Sequence, residues 1–142
     1  MAEESVLVDS SIWIHGLGSR APEDLKNRLM GLLEADSVLI TEMIRLEVIA
    51  GARSAAEFGK YRVDFESIRC LEATRQDWRR AEDLSFTLNR AGSKVGAADL
   101  LIAAVAISRQ VPLWHADNDF ERIHRVASDF QTIWYPKHSP TR

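Results

Sequence analysis

Four acidic residues of this sequence stand where a solvated surface carboxylate is not expected. Asp9 and Asp117 each directly follow a short apolar run, and Glu47 and Asp99 lie among small and apolar residues of predicted helices. A charged side chain in such a place needs a partner, since burial of an unpaired charge is costly. Carboxylates that share one pocket repel each other unless cations lie between them. The four acids therefore predict a site for Mg²⁺ or Mn²⁺, both of which prefer oxygen ligands.

A divalent cation held by these acids would act on a phosphate ester. It would polarise a phosphodiester, orient a water nucleophile and stabilise the leaving oxygen, so that no histidine or serine nucleophile is required. A haloacid-type phosphatase would have a second aspartate where Ser11 stands, and the sequence has no glycine-rich phosphate loop. Nuclease chemistry is therefore favoured over a haloacid-type phosphatase and over a nucleotide-binding enzyme with a glycine-rich loop.

Each of the four acids also has an ordinary structural interpretation. Asp9 could cap a helix, Asp117 could open a turn, and Asp99 could interact with the dipole of its helix. Glu47 could form an ion pair with a neighbouring arginine. For a single acid the two interpretations are about equally good, and it is the joint pattern that favours the metal site.

Strand and helix patterns alternate along the chain. Strands are predicted at 5–9, 37–40, 67–71, 111–115 and 131–135, and helices at 10–17, 23–35, 41–51, 55–66, 74–90, 96–109 and 118–128. Ser10 or Ser11 is the predicted cap of the first helix, and Thr41 that of the third. The alternation predicts an α/β sandwich with parallel strands, in which ligands bind at the carboxyl ends of the strands. Asp9 and Asp117 stand at such ends.

The composition is that of one soluble domain, with 142 residues, 46% of them apolar and 27% charged. We expect a single domain over 1–135 and a C-terminal tail at 136–142. The start of the chain does not resemble a secretory signal, and the longest uncharged apolar run, 100–107, is too short to cross a bilayer. A cytoplasmic location without membrane contact is expected. The only cysteine, Cys70, lies in an apolar run and is predicted to be buried and inert.

Four segments read together resemble the PIN-domain ribonucleases, most closely the VapC-type toxins of bacterial toxin-antitoxin pairs. They are 6–14 (VLVDSSIWI), 40–51 (ITEMIRLEVIAG), 96–104 (GAADLLIAA) and 116–120 (ADNDF), in that order over nearly the whole chain. The resemblance implies a three-layer sandwich with a five-stranded, mainly parallel sheet between helices. It also implies a metal-dependent endoribonuclease, an antitoxin partner and commonly a homodimer. By the same resemblance, Asp9, Glu47, Asp99 and Asp117 are the catalytic and metal-binding acids.

Three further residues near these acids are secondary candidates. His115 stands where the resembling family often has threonine or serine, and either contacts metal-bound water or substrate or is a structural group at the end of a buried strand. Asp119 is either an additional ligand or part of a helix cap formed by Asn118 with Glu121. Ser10 either hydrogen-bonds a metal ligand or caps its helix.

The net charge of −3 argues weakly against an extended basic surface for nucleic acid. Of 21 acidic residues, 17 remain when the four of the site are set aside, against 18 lysines and arginines, which leaves +1. An acidic site filled with cations is thus compatible with RNA as substrate. The identity of the RNA does not follow from the sequence.

An apolar groove for an amphipathic segment of an antitoxin could be formed by Trp13, Ile14, Leu17, Leu29 and Leu33. The alternative for each of these side chains is ordinary packing in the core. Two other functions also remain open: a catalytically inactive PIN-like module that binds a protein or metal, and a metal-dependent nuclease or phosphatase acting on another phosphate ester. The inactive module would bind its partner but cleave no RNA.

Overall fold

A computed structural model describes residues 4–135 of the chain, so the predicted tail at 136–142 lies outside the described residues. The strands in this range are β1 (Val6–Val8), β2 (Val38–Thr41), β3 (Arg69–Leu71), β4 (Leu113–His115) and β5 (Thr132–Trp134). The helices are α1 (Ser10–Leu17), α2 (Glu23–Glu34), α3 (Glu42–Ala50), α4 (Ala55–Glu66), α5 (Arg75–Arg90), α6 (Ala97–Arg109) and α7 (Asn118–Val126). The strands belong to a five-stranded sheet in the order β3-β2-β1-β4-β5. The predicted α/β class with a parallel sheet is confirmed.

The first compact unit, Met1–Glu72, contains three parallel strands. Val6 of β1 lies opposite Val38 of β2, and Leu39 of β2 lies opposite Arg69 of β3. Every residue of β1 and β2 is buried. Strands covered on both faces carry continuous apolar sequence, which explains why polar residues do not interrupt these two.

The helices of this unit close over the strands through aromatic and aliphatic side chains. The Trp13 indole N–H donates to the carbonyl oxygen of Val8 at 3.0 Å, and its ring meets that of Phe65 edge-on with centroids 5.1 Å apart. Leu25 and Leu29 of α2 are buried. Thr41 caps α3, as predicted, because its hydroxyl accepts the Ile44 N–H at 3.1 Å.

The second compact unit, Ala73–Arg142, contains β4 and β5 with α5, α6 and α7. The two strands are parallel, with Trp114 opposite Ile133. Helix α6 is buried at every position from Leu100 to Ala106, and it packs against α5 and α7. Such a helix is apolar all round because no face of this stretch meets solvent.

Cys70 is exposed, so the prediction of a buried thiol is wrong. The cause is the sheet order: β3 is an edge strand, and only Leu71 of its three residues is buried. Desolvation of the sulfur and then the nearby charge of Glu42 raise the pKa of the Cys70 thiol. The reactive thiolate is therefore less populated than in an ordinary exposed cysteine. No helix within residues 4–135 is long and apolar enough to cross a membrane.

Candidate metal site

Asp9 lies immediately after β1 and is 3% exposed. Its Oδ2 accepts two hydrogen bonds from Ser11, one from the backbone N–H at 3.0 Å and one from the hydroxyl at 2.6 Å. Asp9 is thus the N-cap of α1, and the prediction that Ser10 or Ser11 caps this helix is wrong. Asp9 takes the cap position because its side-chain oxygen reaches the backbone N–H of Ser11, two residues further on, as N-cap side chains do.

Glu47 lies half-buried on α3, one turn beyond the exposed start of that helix. The Ser10 hydroxyl donates to its Oε1 at 2.9 Å, which links the first turn of α1 to the middle of α3. Arg45, one of the arginines near Glu47 in the sequence, forms an ion pair with Glu66 at 3.1 Å. Ser10 therefore bonds one of the four predicted acids and is not the cap of α1.

Three half-buried aspartates come together in the second unit. Asp99, Asp117 and Asp119 each offer a carboxylate oxygen, and these oxygens all lie within 4.8 Å of one another. Asp99 lies in the first turn of α6, and Asp117 is the N-cap of α7. Both positions face the positive end of a helix dipole, which stabilises negative charge.

Hydrogen bonds and an ion pair order this cluster. Asp117 Oδ1 accepts the backbone N–H of Asp119 at 3.0 Å, and Arg122 Nη1 lies 3.4 Å from Asp119 Oδ1. The prediction that Asn118 caps α7 with Glu121 is wrong, because Asp117 is the cap and Asn118 begins the helix.

Glu121 instead bonds His115, which is fully buried at the end of β4. The distance between His115 Nε2 and Glu121 Oε2 is 2.8 Å, and the backbone N–H of Asp117 donates to His115 Nδ1 at 3.1 Å. The sequence had suggested no role of this kind for Glu121. The local sequence shows only that Glu121 follows Asp117 by one helical turn, which does not by itself indicate a bond to His115.

The site residues thus fall into two groups that the structure orders separately. In the first unit, Ser10 holds Glu47 and Ser11 holds Asp9. In the second unit, Asp117 lies with the two other aspartates of the cluster. The assembly of all four predicted acids into one pocket stays a prediction. The three clustered carboxylates by themselves are suited to a divalent cation, because hard cations prefer several carboxylate oxygens.

These features define an α/β protein with a parallel sheet and an acidic cluster at the start of two helices. A sequence model of the PIN domain matches residues 6–126. Ribonuclease VapC18 of Mycobacterium tuberculosis is 27% identical over 131 residues, which are 89% of this chain and 92% of that protein. Ribonuclease VapC21 of the same species is 33% identical over 107 residues, 72% of this chain and 76% of that protein.

The chain therefore belongs to the PIN domain family, with VapC ribonucleases among its relatives. A solved structure of VapBC2 from Rickettsia felis, bound to a DNA fragment from its promoter, has the same fold. Its TM-score is 0.74 at 16% identity, covering 92% of this chain and 98% of that one. The resemblance given by the four sequence segments is confirmed.

Proposed function

We propose that this protein is a divalent-metal-dependent endoribonuclease that cleaves RNA phosphodiester bonds and acts as the growth-inhibiting toxin of a type II toxin-antitoxin pair. The observation that carries the proposal is the cluster of Asp99, Asp117 and Asp119 in a chain of the PIN domain family. Relatives named as VapC ribonucleases support RNA as the substrate.

Mg²⁺, with Mn²⁺ as a substitute, is the ion we propose for this site. Three carboxylates with oxygens within 4.8 Å of one another match the hard, oxygen-rich environment that both ions prefer. When bound, such an ion activates water for attack and stabilises negative charge on the leaving oxygen of a phosphodiester. By the resemblance of their sequence segments to PIN-domain ribonucleases, Asp9 and Glu47 complete the proposed ligand set.

Hydrogen bonds from neighbouring groups orient the carboxylates of these acids. The hydroxyls of Ser10 and Ser11 hold Glu47 and Asp9, and the N–H of Asp119 holds a carboxylate oxygen of its neighbour. Outer groups that orient metal ligands reduce the cost of arranging the ligands when the ion binds. In the proposed reaction, the acids would hold the ion that faces the scissile phosphate, and one carboxylate would accept the proton of the attacking water.

An antitoxin protein is the partner we propose, since structural relatives include VapBC complexes. The antitoxin would present apolar side chains to α1 of this protein, because Ile14 and Leu17 of that helix are 57% and 46% exposed. Beside them lies a cavity of about 270 Å³ lined chiefly by Trp13, Leu17, Leu33, Phe65 and Ile68. An amphipathic segment could place apolar side chains there. Of the other predicted groove residues, Leu29 is buried in the core.

A homodimer in the cytoplasm completes the proposal, following the family resemblance. Trp78 and Phe86 on α5 are 52% and 64% exposed, which makes them candidate contact residues between two copies. Light scattering on the purified protein measures the mass directly, and a monomeric mass at micromolar concentration would remove this part of the proposal.

The activity is tested with purified wild-type protein and three variants, Asp9→Asn, Asp99→Asn and Asp117→Asn. Total cellular RNA is incubated with each protein in Mg²⁺, in Mn²⁺ or in EDTA, and fragments are resolved by sequencing gels. Asp83→Asn on α5 is the matched control, because it makes the same chemical change at an exposed aspartate that is not part of the cluster. Circular dichroism verifies that every variant is folded.

The proposal expects discrete fragments from the wild type and from the control, and none with the three site variants or with EDTA. Cleavage that survives in folded Asp99→Asn and Asp117→Asn would remove the cluster from the mechanism. Cleavage lost in the cluster variants but kept in Asp9→Asn would restrict the site to the second unit. A protein that binds Mn²⁺ and an antitoxin but cuts no RNA, and does not arrest growth when expressed, would be the inactive binding module. Release of phosphate from small esters without RNA cleavage would favour another phosphate ester as substrate.

A further inference from the structure

Both ring nitrogens of His115 have partners at the start of α7. Nδ1 accepts the backbone N–H of Asp117 at 3.1 Å, and Nε2 lies 2.8 Å from Glu121 Oε2. Asp117 is thereby held at two points, since its own Oδ1 accepts the N–H of Asp119 at 3.0 Å. One bond fixes the backbone of this acid and the other fixes its carboxylate.

The donor and acceptor roles of the ring follow from the backbone. The N–H of Asp117 can only donate, so the Nδ1 that faces it carries a lone pair and no hydrogen. The ring hydrogen therefore sits on Nε2 and is donated to the carboxylate of Glu121. A carboxylate that accepts from one ring nitrogen selects the tautomer whose other nitrogen is an acceptor.

Packing prevents the ring from leaving this position. The His115 side chain has no exposed surface, and that of Glu121 is 16% exposed. The imidazole lies 5.1 Å from the ring of Phe120 and stacks at 14° with the ring of Trp134 across the β4–β5 pair. The backbone carbonyl oxygen of His115 accepts the Tyr135 N–H at 2.8 Å. Ring and backbone are both anchored, so the bond to Asp117 has a fixed direction.

We propose that His115 is a positioning residue for the divalent cation: its Nδ1 fixes Asp117 in the geometry that binds the ion, and Glu121 orients the ring. The proposal rests on the proposed function, because it assumes that Asp117 is a ligand. It assigns a role to a position where the resembling family often has threonine or serine. Because both ring nitrogens are bonded within the protein, the imidazole is not itself proposed as a ligand of the ion.

Two substitutions at His115 separate the hydrogen bond from the packing. In His115→Asn, the amide oxygen can accept the N–H two residues on, as in an Asx-turn, so the contact with Asp117 is kept. In His115→Leu, a side chain of similar bulk has no acceptor. Mn²⁺ affinity is measured by electron paramagnetic resonance of the free ion, at a temperature where urea unfolding in EDTA shows that each variant is folded.

The expected result is a Kd for Mn²⁺ that rises about 10- to 100-fold in His115→Leu, the usual effect of removing a group that orients a ligand. His115→Asn should recover most of the affinity. Cleavage rates at saturating Mn²⁺ should fall less than rates at low Mn²⁺, because the loss is in binding of the ion. Equal affinity in folded His115→Leu and wild type would overturn the inference.

A second pair of variants acts at Glu121, in case the buried substitutions prevent folding. Glu121→Gln and Glu121→Ala remove the same charge, but only glutamine can still accept from Nε2, so the difference between them isolates the hydrogen bond. Weaker Mn²⁺ binding in the alanine variant than in the glutamine variant supports the inference, and equal binding contradicts it. Wild-type protein that binds no Mn²⁺ would instead overturn the proposed metal site, which distinguishes the two failures.

Discussion

Asp77 is a buried acid outside the proposed metal site, and its replacement by alanine should destabilise the second unit. Its Oδ2 accepts the Thr74 N–H at 2.8 Å and lies 3.2 Å from Arg109 Nη1 at the end of α6. The Thr74 hydroxyl returns the bond by accepting the Asp77 N–H at 3.2 Å, which completes a capping box at the start of α5. One carboxylate thus joins the start of α5 to the end of α6.

The expected loss in Asp77→Ala is about 3 kcal/mol in the free energy of unfolding. The cap contributes about 1 kcal/mol, and a hydrogen bond between charged groups contributes about 1.5 to 3 kcal/mol. We take the lower part of the second range, because the side chain of Arg109 is 29% exposed and water replaces part of the lost interaction. Urea unfolding followed by circular dichroism at pH 7 measures the loss, with Asp83→Ala on the exposed side of α5 as the control.

The same carboxylate should make stability depend on acid. Burial alone would raise the pKa of Asp77, but the Thr74 N–H, the Ser108 hydroxyl and the Arg109 guanidinium together lower it below 3.8. Since the folded pKa lies below the unfolded one, the stabilisation is complete above the unfolded pKa and disappears as the pH falls through the folded pKa. The stability difference between wild type and Asp77→Ala should therefore be constant near neutrality and shrink in strong acid. A loss under about 1 kcal/mol at pH 7, or one that grows on acidification, would refute the reasoning.

Three further predictions concern helix packing, a hydrogen bond to Glu47 and the binding of Mg²⁺. Gly16→Ala should lower the free energy of unfolding by about 1 to 3 kcal/mol, because the added Cβ would meet two buried leucine side chains of α2 at 2.9 and 3.0 Å. Gly31→Ala is the control, since its added Cβ meets nothing within 4 Å and should stabilise the protein slightly. Urea unfolding measures both effects. Ser10→Ala should lower the cleavage rate about tenfold by removing the 2.9 Å bond to Glu47, and an unchanged rate would contradict this role. Addition of Mg²⁺ should raise the melting temperature of wild type but not of Asp117→Asn.

Local patterns predicted the elements of the fold well. Continuous apolar residues in β1 and β2 indicated strands covered on both faces, and both strands are buried. The hydroxyl of Thr41 caps α3 as predicted, because a cap depends on residues within one turn. The burial of Cys70 was wrong since it depends on which strand forms the sheet edge, and that order is set by contacts far apart in the sequence.

The candidate site shows the same division between local and distant causes. Asp99 and Asp117 of the cluster stood out in the sequence because an acid on an apolar helix face or after an apolar strand is unusual by itself. The bond between Glu121 and His115 did not, since it depends on the turn that leads from β4 into α7. Asp119 had two interpretations from sequence, and the structure gives it contacts of both kinds: it lies in the acidic cluster and its N–H is bonded by the cap of α7.

Groups of the fold offset part of the repulsion among the carboxylates of the acidic cluster. Asp117 caps α7 and Asp99 lies in the first turn of α6, so two helix N-termini place their positive ends near the negative charges. Arg122 adds a positive group 3.4 Å from Asp119. These contributions are each small, and they leave a net negative charge at the cluster. The negative charge that remains attracts a divalent cation, so the proposed ion would add the positive charge that the fold does not supply.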